Sequence, residues 1–221
     1  METMHDMKNL ARDEFERWAA SYDRSLINYV LFKPSYRLML DYLRRFLDDI
    51  PRRPLRVLDL GCGTGTYGDW CLKHDLPVQF YGLDMAYNMV AIANEKSRRR
   101  HNEDRFHFLV GDSEHLPFAE NAIDVITCSN SFHHYPHQLS ALRGMKQVLR
   151  PGGKLLILDG CRDQPIGYLV FDVAVATAEK QVHHLPAAKF RDYFHKAGFT
   201  HVGQRTWGLF PPIQITFGTA E

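Results

Sequence analysis

The feature that most constrains the fold is a short apolar run that passes through an acidic residue into glycines at every second position, Val57–Gly65 (VLDLGCGTG). An apolar run of this length predicts a buried strand. Glycines are favoured where the chain turns sharply and where a ligand must approach the backbone without a Cβ in the way. A predicted helix follows from Thr66, so its free N–H groups lie at the same turn. The segment therefore predicts a strand, a ligand-binding turn and a helix.

The chain after Pro54 alternates short apolar runs with amphipathic stretches, which is typical of βαβ units on a parallel sheet. Strands are predicted over residues 55–60, 78–83, 106–110, 123–129 and 154–159, and helices over residues 66–74, 87–100, 138–149, 166–181 and 187–197. Residues 199–207 and 210–218 are predicted to form a terminal antiparallel hairpin that turns at Gly208. The pattern indicates a doubly wound α/β domain over residues 54–221.

A helical cap is predicted ahead of this domain, over residues 1–53. Apolar residues recur at helical intervals from Leu10 to Ile50. Pro34 is expected to break or kink this region, and the turn at Pro51–Pro54 is expected to end it.

Composition excludes several classes of protein. The 221 residues include 27 Lys plus Arg and 26 Asp plus Glu, a net charge of +1, so the chain has no bulk positive field for nucleic acid or an anionic membrane. No apolar stretch approaches the roughly 18–20 residues of a membrane span, and the first residues lack a secretory signal. The four cysteines have neither zinc-site spacing nor the density of a disulfide scaffold. We expect a cytoplasmic protein with buried thiols and no nucleic-acid partner.

Two ligands are open for the glycine turn. The pattern Gly63-x-Gly65-x-x-Gly68 matches the dinucleotide fingerprint, and Asp84 follows at nearly the spacing of a ribose-binding acid, which favours an NAD-dependent oxidoreductase. Asp59 opposes that interpretation, because its carboxylate would repel a diphosphate. A sulfonium cation beside a zwitterionic amino-acid tail tolerates the carboxylate, so S-adenosylmethionine is the favoured ligand.

Five segments of the chain form an ordered set: residues 57–65, the strand end GLDM (82–85), GDSEHLPF (111–118), residues 124–134 and LRPGGK (149–154). This set resembles the class I S-adenosylmethionine-dependent methyltransferases, and in particular the branch that includes ubiquinone and menaquinone biosynthesis methyltransferases. The resemblance implies a Rossmann-like, seven-stranded, mostly parallel sheet with an antiparallel last strand. It also implies methyl transfer to a small, partly apolar acceptor with release of S-adenosylhomocysteine.

The resemblance assigns the methionyl end of S-adenosylmethionine to the first and fourth strands. Gly61, Gly63 and Gly65 would line the methionyl group. Asp59 would organise the turn or the ammonium end, and Ser129 would contribute backbone near the methionyl amine.

The nucleoside end is assigned to the second and third strands. Asp84 would accept hydrogen bonds from both ribose hydroxyls. Met85 would pack on one face of the adenine, while Asp112 and Ser113 would meet its edge. Tyr22, in a lead-in segment typical of this branch, would contact the cofactor or the substrate through its hydroxyl.

Histidines supply the candidate catalytic groups. His133 and His134 follow the fourth strand beside the expected methyl position, and an imidazole can take a proton near neutral pH. A purely structural role for the pair stays open. His133 and His137 stand four residues apart, but Pro136 opposes a helix there and we expect no metal.

Three further points stay open in the sequence. The strongly apolar segment 166–181 either walls the acceptor pocket or forms a homodimer contact. His183 and His184 are expected to face solvent rather than reach the acceptor. A protein that binds S-adenosylmethionine without catalysis is the remaining alternative to a methyltransferase.

Overall fold

The computed structural model describes residues 12–19, 22–23, 33–51, 54–163, 167, 183–208 and 212–221. These residues form one seven-stranded sheet: β1 (Leu55–Leu60), β2 (Val78–Asp84), β3 (Phe106–Val110), β4 (Ile123–Ser129), β5 (Leu149–Gly160), β6 (Phe199–Trp207) and β7 (Ile213–Ala220). The strand order is β3-β2-β1-β4-β5-β7-β6, and β7 runs in the opposite direction to the other six strands. The predicted Rossmann-like α/β fold and its terminal antiparallel hairpin are confirmed.

The described residues contain six α-helices: α1 (residues 12–19), α2 (Lys33–Asp49), α3 (Thr66–Lys73), α4 (Tyr87–Arg99), α5 (Gln138–Val148) and α6 (Ala187–Lys196). Helices α2, α3 and α4 pack on one face of the sheet, while α5 and α6 pack on the other. Pro34 is the second residue of α2, where its missing N–H costs no helical hydrogen bond. None of these helices combines the length and the apolar character that crossing a membrane requires.

The register of the central strands sets the location of the site. Asp59 of β1 is level with Gly82 of β2 on one side and with Thr127 of β4 on the other. The three strands are parallel, so the segments that follow them leave the sheet at one edge. Ligands of open α/β sheets bind at this carboxyl edge.

Two predicted strands differ from the observed ones. Strand β5 begins at Leu149 rather than Lys154, because Leu149 pairs with Ile123 before an irregularity, and regular pairing resumes between Lys154 and Val125. The last strand runs from Ile213 to Ala220 rather than over residues 210–218. The predicted helix at residues 166–181 falls outside the described residues except for Gly167.

Candidate functional site

The turn after β1 has the unusual backbone that its glycines predicted. Gly61, Gly63 and Gly65 have φ values of 69°, 51° and 73°, a region that side chains with a Cβ rarely adopt. A Cβ at Gly61 would lie 2.0 Å from Ser131 Oγ, whereas the nearest atom to a Cβ at Gly63 is Tyr22 Cε1 at 4.0 Å. Gly61 is therefore needed for packing, while Gly63 borders open space beneath Tyr22.

Asp84 connects this turn to the end of β2. Its Oδ2 accepts a hydrogen bond from the Gly63 N–H at 2.8 Å, and its Oδ1 accepts one from the Ala86 N–H at 2.9 Å. Burial raises the pKa of the Asp84 carboxyl, although these backbone donors act in the opposite direction. The carboxylate is thus oriented before any ligand arrives.

Asp59 lies beneath the same turn and is 3% exposed. Its Oδ1 accepts a hydrogen bond from Thr127 Oγ1 at 2.7 Å. Burial raises the pKa of Asp59 to about 7, the hydrogen bond from Thr127 opposes that change, and the negative charge of Asp84 adds to it. Two carboxylates at one cavity create a site that favours a cationic ligand.

A cavity of about 50 Å³ lies between the turn and the N-terminal segment. Its lining includes six of the predicted cofactor residues: Tyr22, Asp59, Gly61, Gly63, Asp84 and Ser129. The sequence did not single out the other lining residues, which are Phe15, Tyr36, Cys62, Thr64, Thr66, Tyr67, Met89 and Asn130.

Four predicted cofactor residues lie outside this lining. Gly65 is buried, and a Cβ there would come within 2.9 Å of Phe108 Cζ. Met85 lies in the turn before α4, and the methionine that lines the cavity is Met89, on the first turn of that helix.

Asp112 and Ser113, the other two, lie in the loop beyond β3. Asp112 accepts a hydrogen bond from the Glu114 N–H at 2.9 Å and pairs with His115 Nδ1 at 2.9 Å. Ser113 is buried and forms a side-chain hydrogen bond with Tyr135. The structure does not bring them to the cavity around Asp59.

Two contacts hold the N-terminal segment over the cavity. The Glu16 carboxylate accepts hydrogen bonds from the first N–H groups of α4, including that of Asn88 at 2.8 Å, and so caps a helix that lacks a side-chain cap of its own. The second contact is made by Asp23, which pairs with Lys96 Nζ at 2.6 Å and accepts a hydrogen bond from Thr64 Oγ1 at 2.6 Å.

A buried histidine and carboxylate lie at the same sheet edge. His133 is in a 3₁₀ helix (Phe132–His134) after β4, and Asp159 is at the end of β5. Asp159 Oδ1 is 2.6 Å from His133 Nδ1, and Asp159 Oδ2 accepts a hydrogen bond from the His133 backbone N–H at 2.9 Å. Burial alone would raise the pKa of Asp159, but interaction with His133 outweighs it and the pKa is lowered. Asp159 is thus an ionised carboxylate that bonds both the imidazole and the backbone N–H of His133.

The expectation that His184 faces solvent is wrong. This residue is 6% exposed, its ring stacks on that of His133 with centroids 4.3 Å apart, and its Nε2 is 3.8 Å from Asp159 Oδ1. The preceding residue, His183, is exposed as expected, but its backbone N–H donates to the His133 carbonyl oxygen at 2.7 Å. Gln138 strengthens the link, because its Nε2 donates to the His183 carbonyl oxygen at 2.9 Å.

The remaining candidate histidines have separate partners. His134 is partly buried, and its ring meets the Phe15 ring of α1 edge to face, with centroids 5.3 Å apart. His137 is exposed and pairs with Glu114, which accepts a hydrogen bond from its backbone N–H at 2.6 Å. His133 and His137 therefore do not converge on a common ligand.

Similarity to known proteins agrees with this geometry. Residues 58–157 match the family model described as a methyltransferase domain. The chain is 36% identical over 171 residues to the methyltransferase GfsG of Streptomyces halstedii, covering 73% of this chain and 60% of that protein. It is 30% identical over 154 residues to the ubiquinone/menaquinone biosynthesis C-methyltransferase UbiE of Dinoroseobacter shibae, covering 70% and 60%. The chain thus spans about three fifths of the length of these curated relatives.

A solved structure of a SAM-dependent methyltransferase from Aquifex aeolicus has the same fold, with a TM-score of 0.67 at 19% identity, over 95% of this chain and 98% of the other. Residues 58–157 thus match a methyltransferase domain, and the motifs and fold of the chain are similar to those of the class I S-adenosylmethionine-dependent methyltransferases.

Proposed function

We propose that this protein transfers the methyl group of S-adenosylmethionine to a small, partly apolar acceptor and releases S-adenosylhomocysteine. The observation that carries the proposal is the pair of carboxylates, Asp59 and Asp84, held around the Gly61–Gly63 turn at the carboxyl edge of the sheet. When bound there, S-adenosylmethionine supplies a methyl group activated by a sulfonium cation.

The residues present fit this cofactor. A methionyl tail carries an ammonium group and the reacting sulfur is cationic, so two carboxylates stabilise it, whereas they would repel the diphosphate of NAD. Gly63 leaves room for close approach, because a Cβ there would meet only Tyr22, at 4.0 Å. The dinucleotide alternative is therefore not favoured.

Each residue is proposed to bind one part of the cofactor. Asp84 would accept hydrogen bonds from the ribose hydroxyls, and Asp59 would face the methionyl end. Ser129, at the end of β4, would lie near the amine, while Tyr22 would close over the turn. Their position in one cavity supports these four roles.

The adenine end is proposed to lie toward Met85 and the loop after β3. Met85, Asp112 and Ser113 keep the roles proposed for them by resemblance, although they lie outside the cavity lining. Met89 is a further candidate for packing against the base, because it lines the cavity and belongs to the cluster that joins α1 to α4.

We also propose that residues 1–53 act as a cap on the domain of residues 54–221. The contacts of Glu16 with the start of α4 and of Asp23 with Lys96 support this division. A cytoplasmic location is supported by four free, buried cysteines.

Ligand-dependent melting and calorimetry test the cofactor. S-adenosylhomocysteine is expected to raise the melting temperature and to give a measurable Kd, while NADH leaves the melting temperature unchanged. Stabilisation by NADH alone would contradict the proposal. Transfer is tested by screening a broad set of acceptors with S-adenosylmethionine that carries a labelled methyl group. If the protein binds the cofactor but labels no acceptor, the result favours a non-catalytic S-adenosylmethionine-binding protein.

A further inference from the structure

We infer that the methyl acceptor is a hydroxyl group, and that His133 removes its proton while Asp159 positions the imidazole. The inference rests on the proposed function and names the chemical class of the acceptor. Its foundation is the contact between Asp159 Oδ1 and His133 Nδ1 at 2.6 Å, inside a buried cluster at the sheet edge that carries Ser129 and Asn130.

The protonation state of the His133 ring follows from its partner. An ionised carboxylate can only accept hydrogen bonds, so Nδ1 of His133 carries the proton in this pair. The second bond, from the His133 backbone N–H to Asp159 Oδ2, fixes both the ring and the helix that bears it. Proton exchange by the ring therefore takes place at Nε2, and Asp159 stabilises the imidazolium that forms, as the third member of a catalytic triad does.

The orientation of the two stacked imidazoles does not suit a metal site. Nitrogen and oxygen atoms of His133, Asp159 and His184 lie within 4.8 Å of one another, a set that could hold a metal ion by composition. A metal lies near the plane of each imidazole that binds it, because the nitrogen lone pair lies in that plane. The two rings are stacked with only 19° between their planes, so their lone pairs do not converge. The cluster is arranged for hydrogen bonding and proton transfer.

Acceptor groups differ in whether they need a base. An alcohol or phenol keeps its proton near neutral pH, so its oxygen becomes a strong nucleophile only as a base takes that proton. A thiol, with a pKa near 8.5, ionises partly without help. An aliphatic amine, with a pKa near 10.4, is a cation near neutral pH, loses its proton to water and then attacks through its lone pair. A carboxylate acceptor is already anionic and would be repelled by Asp159.

The transfer balances with groups already named. His133 Nε2 takes the hydroxyl proton as the acceptor oxygen forms its bond to the methyl carbon, and the bond from that carbon to sulfur breaks with its electron pair remaining on sulfur. The products are a methyl ether, S-adenosylhomocysteine and an imidazolium held by Asp159. His133 then returns the proton to solvent.

A matched series of acceptors tests the inference. Compounds built on one apolar ring scaffold, each bearing a hydroxyl, amine, thiol or carboxylate group, are incubated with S-adenosylmethionine carrying a deuterated methyl group, and products are read by mass spectrometry. The wild-type protein is expected to label the hydroxyl members on oxygen. Label on a carbon, an amine, a thiol or a carboxylate, or on none of the series, would overturn the inference.

Variants identify the base. His133→Ala is expected to lower kcat by about 10²–10⁴-fold while the Kd for S-adenosylhomocysteine stays within twofold. His137→Ala, which removes an exposed imidazole paired with Glu114, is the matched control and is expected to keep the wild-type rate. Equal rates for His133→Ala and wild type would show that His133 is not the base.

Asp159→Asn has a readout of its own. In the wild-type NMR spectrum, the His133 Nδ1 proton is expected at a strongly downfield chemical shift, and in the variant this signal is expected to be lost. The variant is also expected to have a lower kcat. The ascending limb of its pH–rate profile is expected to move to lower pH. Unchanged spectrum and profile would rule out the positioning role. If the wild-type protein fails to bind S-adenosylhomocysteine at all, the proposed function fails as well, so the two failures are distinguishable.

Discussion

The Gly63 N–H and the Asp84 carboxylate, 21 residues apart in the chain, are joined by a 2.8 Å hydrogen bond. This bond connects the turn after β1 to the end of β2 and orients the carboxylate that is proposed to hold the ribose. The cofactor therefore meets a preorganised acceptor rather than one that must be ordered on binding.

Asp84→Ala is expected to weaken S-adenosylhomocysteine binding by at least about 100-fold, because two charge-assisted hydrogen bonds are each worth roughly 1.5–3 kcal/mol. His133→Ala is expected to leave the same affinity within twofold, since His133 is proposed to act on the acceptor. Isothermal titration calorimetry on both variants makes the comparison. Equal losses of affinity would contradict the division between a cofactor end and an acceptor end.

Asp59 predicts a pH dependence of cofactor binding. Its pKa of about 7 leaves the carboxyl neutral below that pH and anionic above it. Because a cationic ligand binds more tightly to the anion, affinity for S-adenosylmethionine is expected to rise with pH between about 6 and 8. Asp59→Asn, whose amide oxygen can still accept from Thr127, is expected to bind weakly with no such rise.

Unfolding of the ligand-free protein provides the control. The folded-state pKa of Asp59 lies above the unfolded value of about 3.9, so the folded state holds this proton more tightly and loses stability as pH rises toward 7. The loss is on the order of a few kcal/mol. Asp59→Asn should therefore gain stability relative to wild type between pH 4 and pH 8 in urea titrations. If the difference in the free energy of unfolding between the two proteins does not change with pH, the titration of Asp59 does not cause the loss of stability.

The cofactor end of the site could be predicted from the sequence because its chemistry lies within a few residues of strand ends. Asp59 and Gly63 flank the end of β1, Asp84 ends β2, and the carboxyl ends of parallel strands meet at one edge. Local spacing was therefore sufficient. Spacing does not show which methionine lines the cavity, because that depends on how α4 is rotated against α1, and Met89 rather than Met85 is in the lining.

The acceptor end depends on tertiary placement that spacing does not contain. His133 and Asp159 are 26 residues apart, and their contact requires β5 to lie beside β4 in the register that pairs Ser129 with Leu158. The position of Asp159 at the end of a predicted strand was the one available signal. His184 offered none, because only the return of the chain onto the 3₁₀ helix buries it.

The glycines of the turn predict a contrast between stability and binding. Gly61→Ala places a Cβ 2.0 Å from Ser131 Oγ and 2.5 Å from its Cβ, so the backbone must shift, and a fall in Tm of several degrees is expected. Gly63→Ala meets no atom closer than 4.0 Å and bears only the cost of its positive φ, about 1–2 kcal/mol. Its methyl group points toward the cavity, so it should lose cofactor affinity.

Calorimetric scans and S-adenosylhomocysteine titrations of both variants test this contrast. Ser131→Gly in the Gly61→Ala background removes the clashing side chain and is expected to restore part of the lost Tm. Similar losses of stability in the two single variants, or full cofactor affinity in Gly63→Ala, would contradict the assignment of the two glycines.

The ion pair between Asp23 and Lys96 predicts control of cofactor exchange. Asp23 follows Tyr22, whose ring covers Gly63, and accepts from Thr64 within the turn itself. Breaking the pair in Asp23→Asn is therefore expected to speed S-adenosylhomocysteine dissociation by roughly tenfold, which corresponds to about 1.4 kcal/mol. Lys96→Met should have a similar effect, and stopped-flow fluorescence measures the rate.

The double variant Asp23→Asn/Lys96→Met shows whether the two residues slow cofactor dissociation through their ion pair or through independent contributions. If the pair acts together, its dissociation rate should be close to that of either single variant, because the second change removes an interaction already lost. Glu95→Gln, which breaks the neighbouring exposed pair with Arg99 on the same helix, is the matched control and should leave the rate unchanged. Multiplicative effects in the double variant, or an equal effect from Glu95→Gln, would show that general helix charge rather than this contact holds the N-terminal segment over the cofactor.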